Sequence, residues 1–433
     1  MSPLVIGYII LGVLILFLFS GAPIGVVMGL AGFIGMGYVS GWGAAFGIMK
    51  TVPYATISTY SYCVIPLFVL MGTLSFHSGL TTDLYWTINK WLGKWPGGLA
   101  MATVGACASF AAVSGSSLAT AATMGTVALP EMKRYNYDPA LATGCVAAGG
   151  TIGILIPPSV ILILYGILTE QSIGKLFLAG FIPGILEAVF YIGVIYIICK
   201  RNPLLGPRGD STTFKEKVVA LKGTWGVVVL FLVVIGGIYL GVFTPIEAGG
   251  VGAFGAFLFA LGKKRLTRKN FAASLIDTGK STAMILLIIV GAMIFGYFLA
   301  VTRLPNELAS AIAGLPVNRY VILGIVLIAY LLIGCVMDAM AMILLTVPIF
   351  FPLAMSLGFD PIWFGIIIVR VFEMASITPP VGMNVYVIHG VAKDVPLGTI
   401  FKGIIPFLMA DICHVALLVS VPQIVLFLPN LMR

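Results

Sequence analysis

Three hydroxyls and a glycine stand together at Ser114-Gly115-Ser116-Ser117, inside an otherwise apolar run from 97 to 130. Hydroxyl and carbonyl oxygens without a fixed charge suit a small hard cation such as Na+. Small residues also let helices approach closely, which is the plain structural reading of the neighbouring Ala119-Thr120-Ala121-Ala122-Thr123. The next apolar run, 140–168, is long enough to cross a bilayer as one helix. Its middle, however, holds Gly149, Gly150 and Gly153 and then Pro157-Pro158. Proline removes a backbone donor and clashes with the preceding turn, so a helix breaks there. Carbonyls freed at membrane depth are tolerated only where protein buries them or where they line a cavity. Such a break near the midplane is a pointer to a transport site.

The break occurs twice. Pro379-Pro380, within Glu373 to Gly382, interrupts a second apolar run, 362–391. Asp338 sits in Gly334-Cys335-Val336-Met337-Asp338, the position equivalent to Ser116 in that second half. An ionised carboxylate at this depth costs at least about 2.5–3.5 kcal/mol, so it needs a partner or a role. Arg370 and Glu373 lie three residues apart on one helical face and can neutralise each other. Glu187, Glu247, Asp411 and His414 also fall in or near apolar runs and read as structural or partner-facing.

The elements that must position these residues are membrane helices. The chain is 60% hydrophobic and 9% charged, against about 25% charged for a soluble domain. Its mean hydropathy is +1.13. The expected class is an all-α polytopic membrane protein, without the alternation of a membrane barrel. The net charge of +9 comes from short loops between spans and is no sign of nucleic-acid binding. Leu4 to Phe19 lacks a basic leader and a cleavage site, so it reads as a first span. The six cysteines (63, 107, 145, 199, 335, 413) lie in apolar stretches with no CxxC, and read as core residues.

The two Pro-Pro pairs are 222 positions apart, and other anchors keep that offset. Pro23 matches Pro245, Pro130 matches Pro352, and Asp138-Pro139 matches Asp360-Pro361. Ile182-Pro183 matches Ile405-Pro406 with one residue inserted. The chain therefore reads as two repeats, 1–200 and 224–433, joined by a cytoplasmic linker at 201–223. The first has spans near 4–19, 23–39, 63–79, 140–168 and 176–199, with a re-entrant hairpin at about 97–130. The second has spans near 225–243, 245–262, 281–301, 361–391 and 404–428, with a hairpin at about 320–353. Five crossings per repeat is odd, so the second repeat is inverted, and the expectation is about ten spans plus two hairpins. Charge tests this independently. With 200–223 cytoplasmic, 18 of the 24 Lys and Arg fall on that side, as the positive-inside rule demands. Residues 42–60 and 83–95 are short, aromatic and amphipathic and read as interfacial helices, with 263–280 a third candidate. The unbroken spans, 176–199 and 404–428 among them, read as a scaffold around a sliding unit of hairpins and broken helices.

Enzyme readings lack residues: there is no HExxH, no GxSxG and no P-loop. The three histidines (77, 389, 414) are far apart and do not read as a metal site. Without a nucleotide site, ATP cannot drive this chain directly.

These motifs carry a resemblance. Gly21 to Ile24, Ser114 to Thr123, Leu129 to Met132, Gly149 to Ser159, Ala179 to Gly184, Phe243 to Ala248 and Ile377 to Asn384 together resemble the large membrane subunit of tripartite ATP-independent periplasmic (TRAP) transporters. The resemblance covers nearly the whole length. It implies an ion-transporter-superfamily elevator fold in the bacterial inner membrane. It also implies a small four-helix membrane subunit, a periplasmic substrate-binding protein, Na+ coupling and import of an organic acid. By the same resemblance one Na+ site uses Ser114, Ser116 or Ser117 with carbonyls near Gly153, Ile156 and Pro158. The other uses Gly334 and the Ala375–Thr378 segment. Ser117 and Asp338 would face the substrate, with Arg303 the lesser candidate for binding the acid. This chain has Ala375 where many relatives carry glycine, and its carbonyl remains available. Two other readings stay open: a self-sufficient Na+/anion symporter of the same superfamily, and an uncoupled channel or structural membrane subunit.

Overall fold

A computed structural model describes residues 2–18, 22–210, 212–314 and 316–432. Phe19, Gly21 and Arg433, which figured in the span, motif and charge expectations, lie outside the described residues. Those residues form twenty α-helices and one short 3-10 turn, with no strand among them.

In chain order, α1 (Pro3–Leu18), α2 (Ile24–Ser40), α3 (Trp42–Ile57), α4 (Val64–His77) and α5 (Leu80–Leu92) come first. A helical hairpin follows, α6 (Gly98–Ser114) and α7 (Ser117–Arg134), turning through two residues. The first broken helix is α8 (Pro139–Thr151) and α9 (Val160–Leu168), and α10 (Ile173–Arg201) closes the half. The second half has α11 (Phe214–Tyr239), α12 (Pro245–Gly262), α13 (Arg268–Thr302) and α14 (Leu304–Ala313). Its hairpin is α15 (Arg319–Gly334) and α16 (Ala339–Ser356), and its broken helix α17 (Pro361–Ala375) and α18 (Met383–Val391). The chain ends with α19 (Leu397–Ser420) and α20 (Gln423–Leu431).

Capping explains the boundaries. Asp138 and Asp360 each precede a proline at the first helical position and accept hydrogen bonds from the first turns of α8 and α17. Ser159 accepts from Leu162 and restarts a helix after the first break. Thr213 with Glu216, and Thr244 with Glu247, form capping boxes that open α11 and α12. Glu247 is thus a helix cap.

Seven described helices are long and apolar enough to cross a membrane, and four more are apolar but shorter. The chain is a multi-pass helical membrane protein. The halves of the two broken helices fall outside the seven because each break leaves pieces of 15 residues or fewer.

Two packing groups are evident. In one, α2 lies along α13 while α4 packs on both α12 and α13, and α1, α3, α5 and α11 attach around them. The α2–α13 approach is very close: a methyl on Gly291 would overlap the Gly25 carbonyl. In the other, both hairpins enclose the broken helices. The arms α5–α6 and α14–α16 join the groups.

Several expectations are corrected by the structure. Residues 176–199 and 404–428 do not stand apart from the broken helices. Their helices, α10 and α19, pack on α9, α17 and α8, and a methyl on Gly403 would overlap the Ala140 carbonyl of α8. Residues 268–280 of the third interfacial candidate are the first turns of the 35-residue α13. The last span stops at Ser420, and α20 follows Pro422 as a separate helix. The amphipathic α14 lay outside the expected elements. Four cysteines are buried, but Cys63 and Cys413 are exposed.

Candidate functional site

The first hairpin tip meets the first break. Gly115 closes α6 in the left-handed region at φ 61°. A methyl placed there would come 2.8 Å from the Pro158 carbonyl oxygen. One placed on Gly153 would lie 3.0 Å from Thr120 Oγ1 and 3.2 Å from the Ser116 carbonyl oxygen. Ser114 Oγ and Thr120 Oγ1 are hydrogen-bonded at 2.9 Å, and Thr120 donates to the Ser116 carbonyl at 2.7 Å. The Ser116 hydroxyl caps α7 by accepting from Ala119 at 3.4 Å. Residues 152–159 are all buried. Their turns use the carbonyls of Gly150, Thr151 and Ile152. Among the described residues no hydrogen bond is donated to the carbonyls of Gly153, Ile156 or Pro158. Such bare buried acceptors need a partner. The Pro158 carbonyl thus lies beside Gly115, and the Ser116 carbonyl and the Thr120 hydroxyl beside Gly153, with Ser114 bonded to Thr120. Ser117 is buried in the first turn of α7.

The second tip also meets the second break, here mainly through side-chain carbon and sulfur. A methyl on Gly334 would lie 2.8 Å from the Ala375 Cβ, and Cys335 Sγ lies 3.8 Å from the Pro379 carbonyl. The Ala375 carbonyl accepts from the Thr378 N–H at 3.1 Å, while the Thr378 hydroxyl donates to Met374 at 2.6 Å. Pro379 and Pro380 are exposed, unlike the buried Pro157 and Pro158. Asp338 caps α16, its Oδ1 accepting from Met340 at 2.9 Å and Ala341 at 3.1 Å. The cap is the partner that a carboxylate at this depth requires.

A cavity of about 390 Å³ opens beside the first tip. Ser114, Gly115, Ser116 and Thr123 line one wall, and α4 and α13 line the other with Thr73, His77, Asp277 and Ser281. His77 Nε2 and Asp277 Oδ2 are 2.8 Å apart. Met340 brings the second hairpin to the same cavity. Ser117, Asp338 and Arg303 are not in its lining. Arg303 is exposed at the α13–α14 junction with φ 54°, and no contact described ties it to either tip.

Comparison with known proteins settles the family. The profile described as "Tripartite ATP-independent periplasmic transporter, DctM component" matches residues 11–424. The chain belongs to this family. It is 38% identical over 379 residues to the C4-dicarboxylate TRAP transporter large permease protein DctM of Pseudomonas aeruginosa, covering 87% of this chain and 88% of that one. It is 32% identical to the isethionate TRAP transporter permease protein DctMQ of Oleidesulfovibrio alaskensis, covering 97% of this chain and 66% of the relative. In fold it is similar to the YdaH transporter of Alcanivorax borkumensis, with a TM-score of 0.64 and 15% identity over 87% of this chain and 88% of that one.

Three features of this DctM-family chain escaped sequence reasoning. Thr120 was grouped with packing residues, yet it binds the tip. Its position four residues after Ser116, on one helical face, was the available signal. Asn384 is fully buried and joins the second break to α8, donating from its backbone to Ser376 at 3.0 Å and from Nδ2 to Ala147 at 3.2 Å. Arg370 is not reserved for Glu373: it also meets Glu187, Asp411 and His414, all fully buried.

Proposed function

We propose that this chain is the carrier subunit of a Na+-coupled secondary importer of a small organic acid, a carboxylate or sulfonate, in the bacterial inner membrane. A periplasmic binding protein delivers the acid, and a small four-helix membrane subunit completes the assembly. The observation that carries the reading is the pairing of a hairpin tip with a helix break, made twice.

The first pairing gathers neutral oxygens in a buried place, which fits a monovalent hard cation better than a divalent one; the second is half exposed and carries the Asp338 carboxylate at its tip. Ser114, Ser116, Ser117, Gly153, Ile156 and Pro158 would hold one Na+. Gly334, Ala375 and Thr378 would hold the other. The cavity supplies the acid's place. Ser116 and Val160 belong to its lining and stand at the starts of α7 and α9, where helix dipoles favour an anion. Asp338 and Ser117 would border that place in a later state of the cycle, and Arg303 would meet the acid only outside the cavity.

Helix boundaries support two repeats. The hairpin arms, broken halves and closing helices recur about 222 positions apart, from α6 and α15 to α10 and α19. With the odd number of crossings and the basic loops on one side, this favours inverted repeats. Asp277 lies within the basic stretch 263–280 and His77 is paired with it, so the cavity would open to the cytoplasm. Substrate would then cross as the hairpins and broken helices slide, elevator-fashion, against α1–α5 and α11–α14. The names of the relatives, C4-dicarboxylate in one and isethionate in the other, fit the acid class and leave the particular acid open.

The test is uptake into proteoliposomes holding the chain and its small subunit, with the binding protein outside. A Na+ gradient should drive accumulation and its collapse should abolish it, with no ATP present. Accumulation without the binding protein would favour the self-sufficient symporter, and flux only down a gradient would favour a channel.

A further inference from the structure

Seven residues form one fully buried polar network that none of the above uses. Arg370 and Glu373 come from α17, Glu187 and Tyr191 from α10, Asp411 and His414 from α19, and Thr151 from the end of α8. Arg370 Nη2 donates to Asp411 Oδ1 at 2.5 Å, and the Tyr191 hydroxyl donates to the same oxygen at 2.6 Å. Arg370 Nη1 lies 3.4 Å from both Glu187 Oε1 and Glu373 Oε2. Arg370 Nε donates to His414 Nδ1 at 3.0 Å. The Thr151 hydroxyl, 2.6 Å from the Ala148 carbonyl, also lies 3.1 Å from Glu187 Oε1.

The ends of this network are the two breaks. Thr151 is the last residue of α8, and Glu373 lies two residues before the end of α17. They are also repeat partners, 222 positions apart, and Tyr191 and His414 are partners at the offset of 223 that follows the insertion. The network thus straddles the relation between the halves, with Arg370, which meets three carboxylates, at its centre. Glu187 Oε2, Glu373 Oε1, Asp411 Oδ2 and His414 Nε2 are buried without a protein partner among the described residues. Losing a further bond from a buried charge is costly, so displacing one end disturbs the other.

We propose that Arg370 and Glu187 are positioning residues that couple the two cation sites, so that Na+ at one break favours the geometry that binds Na+ at the other. The inference rests on the two-site reading above. The coupling is reciprocal, because it is a free energy shared by both sites.

The experiment titrates Na+ against the melting temperature of the purified chain with its small subunit, with K+ keeping ionic strength constant. Wild type should show a sigmoidal rise with a Hill coefficient approaching two. Glu187→Gln keeps the shape and the Thr151 contact but weakens the tie to Arg370. It should bring the coefficient to about one and raise the Na+ half-saturation about five- to 150-fold, the usual span of site–site coupling. Thr151→Val, which changes no charge, should move both quantities the same way and serves if the first variant does not fold. The acid's KM at saturating Na+ should stay put in both. A lowered Na+-free melting temperature with cooperativity intact would make the network merely structural and overturn the proposal. So would a wild-type coefficient of one with clear Na+ stabilisation. Absence of any Na+ stabilisation in wild type would instead remove the two-site reading, and the coupling with it.

Discussion

Gly115→Ala isolates the contact on which the proposed first Na+ site depends. The residue holds φ 61°, and its methyl would stand 2.8 Å from the Pro158 carbonyl. The left-handed backbone alone costs an L side chain about 1–2 kcal/mol. The overlap adds about 1–3 kcal/mol if the neighbours resist, as in an overpacked core. Gly241 separates the two costs. It holds φ 71° with nothing within 4 Å of its would-be methyl, so Gly241→Ala should lose the backbone share only. The excess in Gly115→Ala is relieved by backing the hairpin tip away from the break, which spreads the oxygens around Gly153. Na+ half-saturation should then rise about five- to 150-fold, the equivalent of about 1–3 kcal/mol, while Gly241→Ala leaves it unchanged. The assay is Na+-dependent thermal stabilisation of both variants, followed by Na+-dependent uptake. If the two variants share one Na+ curve, the tip–break contact does not hold the cation, and the site as drawn is wrong.

Two further perturbations probe the frame. Gly291→Ala pushes a methyl into the Gly25 carbonyl, so α2 and α13 should separate and the yield of monodisperse protein should collapse; normal yield would mean that the contact relaxes cheaply. A bifunctional cross-link between cysteines replacing Thr73 and Ala122, on opposite walls of the cavity, should stop uptake. One between the positions of Lys133 and Asp394, an ion pair at 2.5 Å between α7 and the loop after α18, should be tolerated, and uptake surviving both links would leave no sliding motion to explain.

Much of this was legible in the chain because backbone chemistry speaks locally. Pro157-Pro158 and Pro379-Pro380 break any helix, Asp138-Pro139 and Asp360-Pro361 start one, and Ser114 to Ser117 interrupts a run that has no other polar gap. Partners across the fold were less legible. Arg370 and Glu373 are three residues apart, so the sequence favoured a pair between them. Asp411 lies 41 positions from Arg370, and Glu187 much further, and only packing brings them in. The same limit misplaced α10 and α19. Both are long, apolar and unbroken, which is how a scaffold span looks in isolation, and no local signal shows which neighbours a helix keeps. The cavity wall of His77 and Asp277 escaped for the same reason: each is one of several polar residues on its helix, and their 2.8 Å contact joins positions 200 apart.

That placement of α10 and α19 bears on what could slide. A buried guanidinium stripped of its carboxylates typically costs about 3–5 kcal/mol, so a slip plane cannot run between α17 and the helices that hold Glu187 and Asp411. Gly180 of α10 packs its backbone against the Leu155 carbonyl in the first break, which closes that route again. The boundary between the groups is different in kind. Around the cavity it is lined by hydroxyls, small residues and apolar side chains, and the one ion pair among the described lining residues, His77 with Asp277, lies wholly on the α4–α13 side. Elsewhere the groups are joined through α5–α6, α14–α16 and α10–α11, where Phe181 stacks on Phe231. Motion confined to that boundary separates no charges buried within the moving group. The unit proposed to move is accordingly the hairpins, the broken helices and α10 with α19. In that unit the Arg370 network would travel intact and could hold both breaks in register from one side of the membrane to the other.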